Sequence, residues 1–319
     1  MSKRILYVVH RYAPFPGGSE NYVRDMAEET LSRGHEVWVL AGEHKGDLNG
    51  VKLTSDYNVL QEKWDLIVVH GGDVNVQDSV LFNSEFIKSP ILYLIILPSN
   101  SPNCQRGLKG CAYLGCSTNA DWEHLMMNGV YGKGVRVRHG IDEKISQGKA
   151  GFKDKYGIKT SKMFVSCGGY WPNKAMKELV EVFKKAEVPD TTLVLTGYDN
   201  RFGIMPEESE FVKPLMVESR DDVMSAIMEA DLYILHSYSE GFGLVLLESM
   251  YNNTQWAARR IAGAASMMEY GFTYNNDNEL LEYMKSFTPD ESLIKKSYDY
   301  VTNNRLIKNT VDDIMEVVK

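Results

Sequence analysis

Short apolar runs alternate with amphipathic segments along the first half of the chain. The runs that predict β-strands are rich in Val, Ile and Leu, and they are RILYVVH (4–10), HEVWVLA (35–41), VKLT (51–54), LIVVH (66–70), ILYLIIL (91–97), AYLGCS (112–117) and VRVRH (135–139). Helical periodicity marks 19–34 and 118–129, and we expect Ser19 to cap the first helix and Gly34 to end it. Apolar strands separated by helices predict a parallel sheet that is covered on both faces.

The same pattern restarts after a polar, glycine-containing segment near residues 140–160. The strands predicted in this second half are 163–169, 191–197, 231–237 and 254–258, and the helices are 173–186, 220–230, 243–253 and a charged stretch from about 276 to 319 that is broken only by Pro289. We therefore predict two doubly wound, Rossmann-like α/β domains. Ligands of such sheets bind beyond the carboxyl ends of the strands, so two facing domains would form a deep ligand cleft.

The composition describes a globular protein of about two domains. The chain has 319 residues, of which 44% are hydrophobic and 24% are charged. The net charge of −8 gives no support to a globally basic nucleic-acid binder, and the basic residues between 133 and 155 fit a solvated linker equally well. No apolar run is long enough to span a membrane, and the apolar N-terminal stretch is too short for a signal peptide. We therefore expect a soluble, cytoplasmic protein.

The sequence offers little support for a metal or a dinucleotide. Cys104, Cys111 and Cys116 lie in one short stretch, but none of the four cysteines forms a C-x-x-C pair and no histidine is suitably spaced beside them. We interpret them as free thiols in a reducing compartment. The G-x-G-x-x-G fingerprint and the P-loop motif are both absent, which argues against a nicotinamide oxidoreductase and a P-loop nucleotidase.

The stretch SEGFGLVLLE (239–248) combines a Gly-Phe-Gly turn with a helix start, directly after a predicted buried strand. The amides of Gly241 to Leu244 would lie at the helix N-terminus, where free N–H groups and the helix dipole favour a pyrophosphate. A carboxylate facing phosphate would repel it, so Glu240 and Glu248 need other partners, and sugar hydroxyls suit them. The stretch therefore indicates a nucleotide-sugar site. The alternative is two exposed acids that merely stabilise a helix start.

This stretch resembles the E-x7-E signature of the family 4 retaining glycosyltransferases, which have the GT-B fold. Other segments agree with that family in order and spacing, and they are PGGSE (16–20), GHEVWVL (34–40), VRHGID (137–142), NKAMKELVEVF (173–183) and ADLYILHSYSEGFG (230–243). The resemblance covers most of the chain, to about residue 270, and its departures resemble a divergent, virus-encoded branch. It implies an N-terminal acceptor-side domain over 1–145, a donor domain over 146–302 and a terminal helix over 303–319 that packs back on the first domain.

The resemblance also assigns roles to individual residues. It implies that Glu240 contacts the transferred sugar, that Lys174 neutralises the donor pyrophosphate and that Glu248 binds the ribose, with Glu240 and Lys174 as the catalytic residues. The remaining donor-binding residues that it implies are Gly17, Gly18, Gly241, Phe242, Gly243 and Leu244. The alternatives are a plain turn at the first two glycines and an ordinary exposed lysine at a helix start.

One departure from the family pattern concerns the cations of the site. The family arginine five positions before the lysine is Gly169 here. The pyrophosphate would then lose one cation unless another arginine replaces it, and the candidates are Arg201, Arg259 and Arg260.

Two further departures concern the acceptor side and the base. A histidine that follows the fifth strand in many members is absent from ILPSNSP (96–102), where Ser99, Asn100 or Ser101 would fill its space by hydrogen bonding. The usual glycine-threonine-proline after the second glutamate is replaced by NTQWAARR (253–260). We expect Trp256 in that stretch to be a core residue rather than a contact of the nucleotide base.

The predicted function is therefore retaining transfer of a sugar from a UDP- or GDP-sugar to an acceptor hydroxyl on a glycan. The resemblance implies no required cofactor and no metal, since no D-x-D site is evident. Two alternatives are a protein that binds a nucleotide sugar without transferring it and another GT-B enzyme such as a nucleotide-sugar epimerase. A lipid-linked acceptor would require an amphipathic or basic-aromatic face on the first domain, and no strong one is evident. That acceptor, a nucleic-acid acceptor, peripheral membrane contact and the oligomeric state are left open.

Overall fold

The computed structural model describes residues 1–71, 75–96, 101–217 and 219–318. Two of the predicted acceptor-side residues, Ser99 and Asn100, lie outside these ranges. The chain divides into two compact units, of which the first contains Met1–Ile141 and Arg305–Lys319 and the second contains Asp142–Asn304.

The first unit is a parallel sheet with helices on both faces. Its strands are β1 (Arg4–Arg11), β2 (Glu36–Glu43), β3 (Lys52–Thr54), β4 (Leu66–His70), β5 (Ile91–Leu94), β6 (Tyr113–Cys116) and β7 (Gly134–Arg136), and its helices include α1 (Gly18–Ser32), α2 (Asn75–Phe82), α3 (Pro102–Gly110) and α4 (Asn119–Met127). Within the described ranges the seven strands take the order β3-β2-β1-β4-β5-β6-β7. The order reverses between β1 and β4, so the carboxyl ends of these strands form the topological switch point at which such sheets bind ligands.

Alternation along β1 explains how the sheet is covered. Leu6 and Val8 belong to the apolar cluster that also contains residues of α2, α3 and α4. Tyr7 points to the opposite face, where its buried hydroxyl lies 2.7 Å from that of Thr30 on α1. Successive side chains of a strand point to opposite faces, and both faces of this sheet are therefore buried under helices.

The second unit repeats this architecture. Its elements are α5 (Glu143–Ser146), α6 (Phe152–Tyr156), β8 (Lys162–Cys167), α7 (Met176–Ala186), β9 (Thr191–Gly197), β10 (Val212–Met216), α8 (Arg220–Met228), β11 (Leu232–Leu235), α9 (Leu244–Tyr251), β12 (Gln255–Arg259), α10 (Ala262–Ala265), β13 (Phe272–Tyr274), α11 (Asp277–Lys285) and α12 (Glu291–Asn304). In the part of the chain that is described, the strand order is β10-β9-β8-β11-β12-β13. The switch point lies between β8 and β11, and β8 and β11 are followed by the two loops that carry Lys174 and Glu240.

The last helix, α13 (Ile307–Glu316), belongs to the first unit. Arg138 holds it through an ion pair with Asp313, in which Nη2 lies 2.6 Å from Oδ1. Arg33 at the end of α1 forms a second ion pair with Asp312 at 2.7 Å. The chain thus returns to the first unit after α12.

The structure confirms the predicted parallel α/β sheets, and strands such as 66–70 and 191–197 match to the residue. The predicted cap of α1 is wrong, because the helix begins at Gly18 and Gly17 is its N-cap, which places Ser19 inside the first turn. The carbonyl of Gly17 accepts the first helical hydrogen bond, from Asn21 N–H at 3.1 Å. The glycine conformation at Gly17, with φ of 153°, sets the start of the helix.

Candidate functional site

Two loops meet the carboxyl edge of the second sheet at its switch point. The loop after β11 contains Glu240 and ends at Gly243, which is the N-cap of α9 and has φ of 85°. A side chain would be strained in this left-handed conformation, so a glycine there permits the turn from strand to helix. The loop after β8 contains Gly168 and Gly169 and leads through a short 3-10 helix, Pro172–Lys174, to α7.

Lys174 and Glu240 form an ion pair across these two loops. Lys174 Nζ lies 2.5 Å from Glu240 Oε1, and the hydroxyl of Ser237 donates to the same oxygen at 2.6 Å. Both side chains of the pair are largely buried. The methylenes of Lys174 lie against the backbone of Gly168, whose φ is 140°. Glycine adopts this conformation readily and has no side chain that would push the lysine away. The structure therefore brings together the two residues predicted to be catalytic.

Glu248 forms a second ion pair, with a residue that sequence reasoning missed. Arg220, the first residue of α8, places Nη2 2.8 Å from Glu248 Oε1 and 3.3 Å from the hydroxyl of Ser146. Arg220 Nε is buried and has no hydrogen-bond partner in the described structure. Arg220 lies 28 positions before Glu248 in the chain, and no local pattern marks it, so only the packing of α8 against α9 could reveal the pair.

A glycine in the neighbouring helix α10 packs against the turn between the two glutamates. Phe242 is buried, and a side chain at Gly263, in α10, would collide with the Phe242 backbone. The backbone of α10 therefore packs directly against the Gly-Phe-Gly turn. This contact fixes the peptide groups from Gly241 to Leu244 at the N-terminal end of α9, where free N–H groups favour an anion.

The position of the missing family arginine, Gly169, is covered by an aromatic ring. A side chain at Gly169 would collide with the ring of Trp171, whose Nε1 donates to Asp199 at 3.2 Å. Asp199 also pairs with Arg201, and the guanidinium of Arg201 lies 5.8 Å from the centre of the Trp171 ring. The ring of Trp171 thus occupies the space that a side chain at Gly169 would need, and Arg201 lies beside the same ring. Arg201 is exposed and its ion pair keeps the pKa of the Asp199 carboxyl below its ordinary value.

Arg259, the second candidate cation, supports the strand that precedes the motif. Its Nη2 lies 3.0 Å from Nε2 of His236 and 3.1 Å from Asp277. Burial, with the Arg259 charge, lowers the pKa of His236 to about 4. Nδ1 of this imidazole lies 2.7 Å from the hydroxyl of Tyr274. The backbone of Arg260 donates to the Tyr274 carbonyl at 2.8 Å, and its side chain is exposed.

Trp256 is a core residue, as predicted. It lies in β12 with none of its surface exposed, and its ring packs on the backbone of Gly271.

In the first unit, the loop that contains Gly17 and Gly18 lies beside the carboxylate of Glu20. A side chain at Gly17 would collide with the carboxylate of Glu20, whereas Gly18 faces open space. Glu20 Oε1 is 2.7 Å from Arg11 Nη2 and 3.1 Å from His10 Nε2. Burial raises the pKa of Glu20, but the contacts with His10 and Arg11 outweigh it and leave the pKa below its ordinary value.

Two further histidines are buried near this loop. The Nδ1 atom of His139, in the segment VRHGID (137–142), lies 2.8 Å from the hydroxyl of Tyr22 on α1. The ring of Tyr22 also lies 5.0 Å from the ring of His70, at the end of β4. Burial lowers the pKa of His70 to about 4 and that of His139 to about 3. Both imidazoles are therefore neutral at physiological pH.

Ser101 lies at the start of α3, where its hydroxyl accepts from Cys104 N–H at 3.1 Å and caps the helix. The four cysteines are free thiols. Among the residues that the structure describes, no group of His, Cys, Asp and Glu side chains is arranged to hold a metal ion.

Both units have the parallel α/β architecture of the GT-B glycosyltransferases. The chain superposes on sucrose-phosphate synthase of Thermosynechococcus elongatus with a TM-score of 0.78 and 13% identity over 99% of this chain and 98% of that one. It superposes on HepE of Anabaena, solved in complex with UDP-glucose, with a TM-score of 0.77 and 17% identity over 99% of both chains. The fold is thus GT-B.

The sequence of the second unit carries the family signal. Residues 149–306 match the model of the family described as glycosyl transferases group 1. A curated relative, N-acetyl-alpha-D-glucosaminyl L-malate synthase of Bacillus anthracis, is 30% identical over 145 residues, which are 42% of this chain and 37% of that protein. The aligned part thus spans just over a third of that relative's length. The fold and the family match together support a glycosyltransferase.

The helices of the described ranges are all too short or too polar to cross a membrane.

Proposed function

We propose that the protein is a retaining glycosyltransferase of family 4 that takes its sugar from a nucleoside-diphosphate sugar. The observation that carries the proposal is that both glutamates around the start of α9 form ion pairs. Glu240 pairs with Lys174, and Glu248 pairs with Arg220. Two ordinary helix-start acids would be exposed, whereas these carboxylates are largely buried and each holds a cation. Burying an ion pair costs free energy because both charges lose their hydration. Two buried pairs around one helix start therefore support a binding site over a merely stabilising role.

The two ion pairs explain how two glutamate side chains can lie beside a phosphate-binding site. Each glutamate carries its own counter-charge, so the net charge beside the amides of Gly241 to Leu244 is close to neutral. When the donor binds, its phosphates compete for Lys174 while the sugar hydroxyls donate to Glu240. The lysine is then free to stabilise the negative charge that develops on the leaving diphosphate, together with the amides of α9. Front-face attack by the acceptor hydroxyl would retain the anomeric configuration.

Arg201 is the residue that we propose for the missing family cation. Its guanidinium lies beside Trp171, the ring that covers Gly169. Because the Arg201 side chain is exposed, it can turn from Asp199 towards a diphosphate, while Asp199 keeps its hydrogen bond from Trp171. Arg220 is better placed for the ribose, since it already holds the carboxylate of Glu248.

UDP-sugars are the first donors to test, with GDP-sugars second, because HepE is described in complex with UDP-glucose. The relative from Bacillus anthracis is named as a synthase of N-acetyl-alpha-D-glucosaminyl L-malate. We therefore propose UDP-glucose and UDP-N-acetylglucosamine as donors, and a panel of glycans together with L-malate as acceptors. On the acceptor side we retain Ser101, with Ser99 and Asn100 as residues outside the described ranges, and we keep Gly17 and Gly18 as donor-binding residues. No metal or cofactor is proposed.

The first experiment measures thermal stability with nucleosides, nucleoside diphosphates and nucleotide sugars. A ligand that binds only the folded state stabilises it by about 2.7 kcal/mol at a hundredfold excess over its Kd. We expect a diphosphate to raise the Tm of the wild type, Lys174→Gln to lose the response to the diphosphate but keep that to the nucleoside, and Glu248→Gln to lose both. Glu181→Gln, which changes an exposed glutamate on α7, is the matched control. If no nucleotide raises the Tm of the wild type, the donor site is wrong.

The second experiment separates transfer from binding alone. The product of incubation with donor and acceptor is analysed by NMR, and the coupling constant of the anomeric proton reports retention or inversion. Donor binding without transfer or slow donor hydrolysis would favour a nucleotide-sugar-binding protein, and a donor changed without an acceptor would favour an epimerase.

A further inference from the structure

Arg259, the last residue of β12, lies against the loop that leads from β11 to Glu240. Its Nε donates to the carbonyl of His236 at 3.3 Å, and its guanidinium lies 4.8 Å from the centre of the Tyr238 ring. Asp277, at the start of α11, accepts from Nη2 at 3.1 Å. One guanidinium therefore contacts two residues of the loop, while a carboxylate balances its charge.

The imidazole of His236 fixes the orientation of this guanidinium. An arginine can only donate hydrogen bonds, so Nε2 of His236, 3.0 Å from Nη2 of Arg259, accepts with its lone pair. The proton of the neutral imidazole is then on Nδ1, which donates to the hydroxyl of Tyr274 at 2.7 Å. Because the His236 side chain is fully buried, both ring nitrogens depend on these partners.

The loop held in this way carries groups of the donor site. Ser237, the residue before Tyr238, donates its hydroxyl to Glu240 Oε1 at 2.6 Å. The N–H of Tyr238 donates to the carbonyl of Asn173 at 2.8 Å, and Asn173 directly precedes Lys174. A shift of this loop would therefore move the carboxylate and the ammonium of the ion pair together.

Direct binding of the diphosphate is the alternative role for Arg259. An arginine that binds a phosphate directs its N–H groups at the ligand. Nε and Nη2 of Arg259 are directed at His236 and Asp277 instead, and only 17% of the side chain is exposed. Arg201 exposes 59% of its side chain and can reach a ligand more freely. The contacts of Arg259 therefore favour a role in holding the loop.

We infer that Arg259 is a positioning residue of the donor site, which sets the place of Glu240 and Lys174 through the loop that follows β11. The inference rests on the proposed function and deepens it. The second ion pair, Glu248 with Arg220, is built from α9 and α8 instead. Loss of Arg259 should therefore weaken the contacts with the diphosphate and the sugar and spare those with the nucleoside.

The test is calorimetric titration with uridine, UDP and UDP-glucose, or with the guanosine series if GDP is the diphosphate that stabilises the wild type. Arg259→Leu should lower the affinity for the diphosphate and the nucleotide sugar about tenfold, the effect of losing hydrogen bonds to a charged group, and leave that for the nucleoside unchanged. Arg259→Lys should lose nearly as much, because one ammonium cannot hold both acceptors of His236 and cover the Tyr238 ring.

Variants of His236 test the same contact from the other side. His236→Gln keeps an acceptor oxygen for the guanidinium and should bind all three ligands like the wild type. His236→Leu removes the acceptor and should behave like Arg259→Leu. If Arg259→Leu does not fold, His236→Leu and Arg259→Lys decide the question.

Gln255→Leu is the matched control, at the opposite end of β12. Gln255 is buried, its Nε2 donates to the hydroxyl of Tyr283 at 2.7 Å, and its Oε1 accepts from the N–H of Asp290 at 2.9 Å. The substitution should lower the Tm and leave all three affinities unchanged, because it removes buried hydrogen bonds far along the strand from the loop.

Three outcomes would overturn the inference alone. Arg259→Leu could bind the diphosphate as tightly as the wild type, or it could weaken all three ligands equally, which would mean a merely structural role. Arg259→Lys could keep the full affinity for the diphosphate, which would mean that the residue binds phosphate directly as a charge. If the wild type binds none of the three ligands, the proposed function fails, and the inference fails with it.

Discussion

At the scale of one residue, Gly168 leaves room for the charged side chain of Lys174 because it has no Cβ. Its φ is 140°, and an added Cβ would lie 3.2 Å from Cε of Lys174. We predict that Gly168→Ala introduces backbone strain of about 1–3 kcal/mol and displaces Lys174 from Glu240, which lowers affinity for a nucleoside diphosphate roughly tenfold. Calorimetric titration with the diphosphate and with the nucleoside measures this, and only the diphosphate should be affected.

Gly203→Ala is the control for that prediction, because Gly203 also has a positive φ but no neighbour that a Cβ would meet. It should cost stability and leave both affinities unchanged. Equal losses in the two variants would mean that strain alone, and not the position of Lys174, weakens binding.

The side chains of the candidate site could be placed together from the sequence only where they lie in one contiguous motif. Glu240, Gly243 and Glu248 occupy a single stretch, and the turn forces their arrangement. Arg220 was missed because it reaches Glu248 from another helix, and Trp171 because nothing local shows that its ring turns back over Gly169. Tertiary packing decides such contacts.

At the scale of an element, the short helix α10 packs against the Gly-Phe-Gly turn and supports it. A side chain at Gly263 would collide with the carbonyl of Phe242, and neither backbone can move freely because Phe242 is buried. We predict that Gly263→Ala pushes α10 away from the turn, lowers the Tm by several degrees through overpacking of about 1–3 kcal/mol, and weakens diphosphate binding. Differential scanning calorimetry with and without the diphosphate measures both effects.

Gly132→Ala serves as the comparison, since Gly132 is exposed and a Cβ there meets no other atom. The prediction fails if Gly263→Ala and Gly132→Ala have the same Tm and the same affinity.

The last helix, α13, is held on the first unit by a charged contact. Asp313 accepts from both Arg138 Nε and the Arg138 backbone, at 2.8 Å each, and the pair is largely buried. We predict that Asp313→Asn lowers the free energy of unfolding of the first unit by about 1–3 kcal/mol, because it leaves the guanidinium without its counter-charge. Asp312→Asn, at a half-exposed position, should cost far less, and proteolysis of the C-terminus reports the difference.

Among elements, the long apolar strands were predictable, whereas the two edge strands of the second sheet were not. The strands at 66–70 and 191–197 are entirely buried, so their composition is nearly all apolar or β-branched. Sequence reasoning missed β10, which lies at the edge of the sheet and contains Pro214, and β13, which has three residues. An edge strand is paired on one side only, and its sequence can therefore carry polar residues and proline.

Across the whole molecule, three buried imidazoles link stability to pH. His70 and His139 lie in the first unit and His236 in the second, with pKa values of about 4, 3 and 4 against an ordinary value of 6.5. A lowered pKa in the folded state means that the unfolded chain takes up protons first as the pH falls below 6.5. Each imidazole therefore removes up to about 1.4 kcal/mol of stability per pH unit between pH 6.5 and its folded pKa, and none above pH 7.

We predict that both units lose thermal stability between pH 6.5 and 4 and are insensitive to pH from 7 to 8. His236→Gln should flatten the pH dependence of the second unit, and His139→Gln that of the first, even if each lowers the Tm at neutral pH. Thermal unfolding across this pH range, followed by tryptophan fluorescence, measures the slopes. Wild-type and His139→Gln curves that stay parallel down to pH 4 would show that burial of this imidazole does not drive acid unfolding.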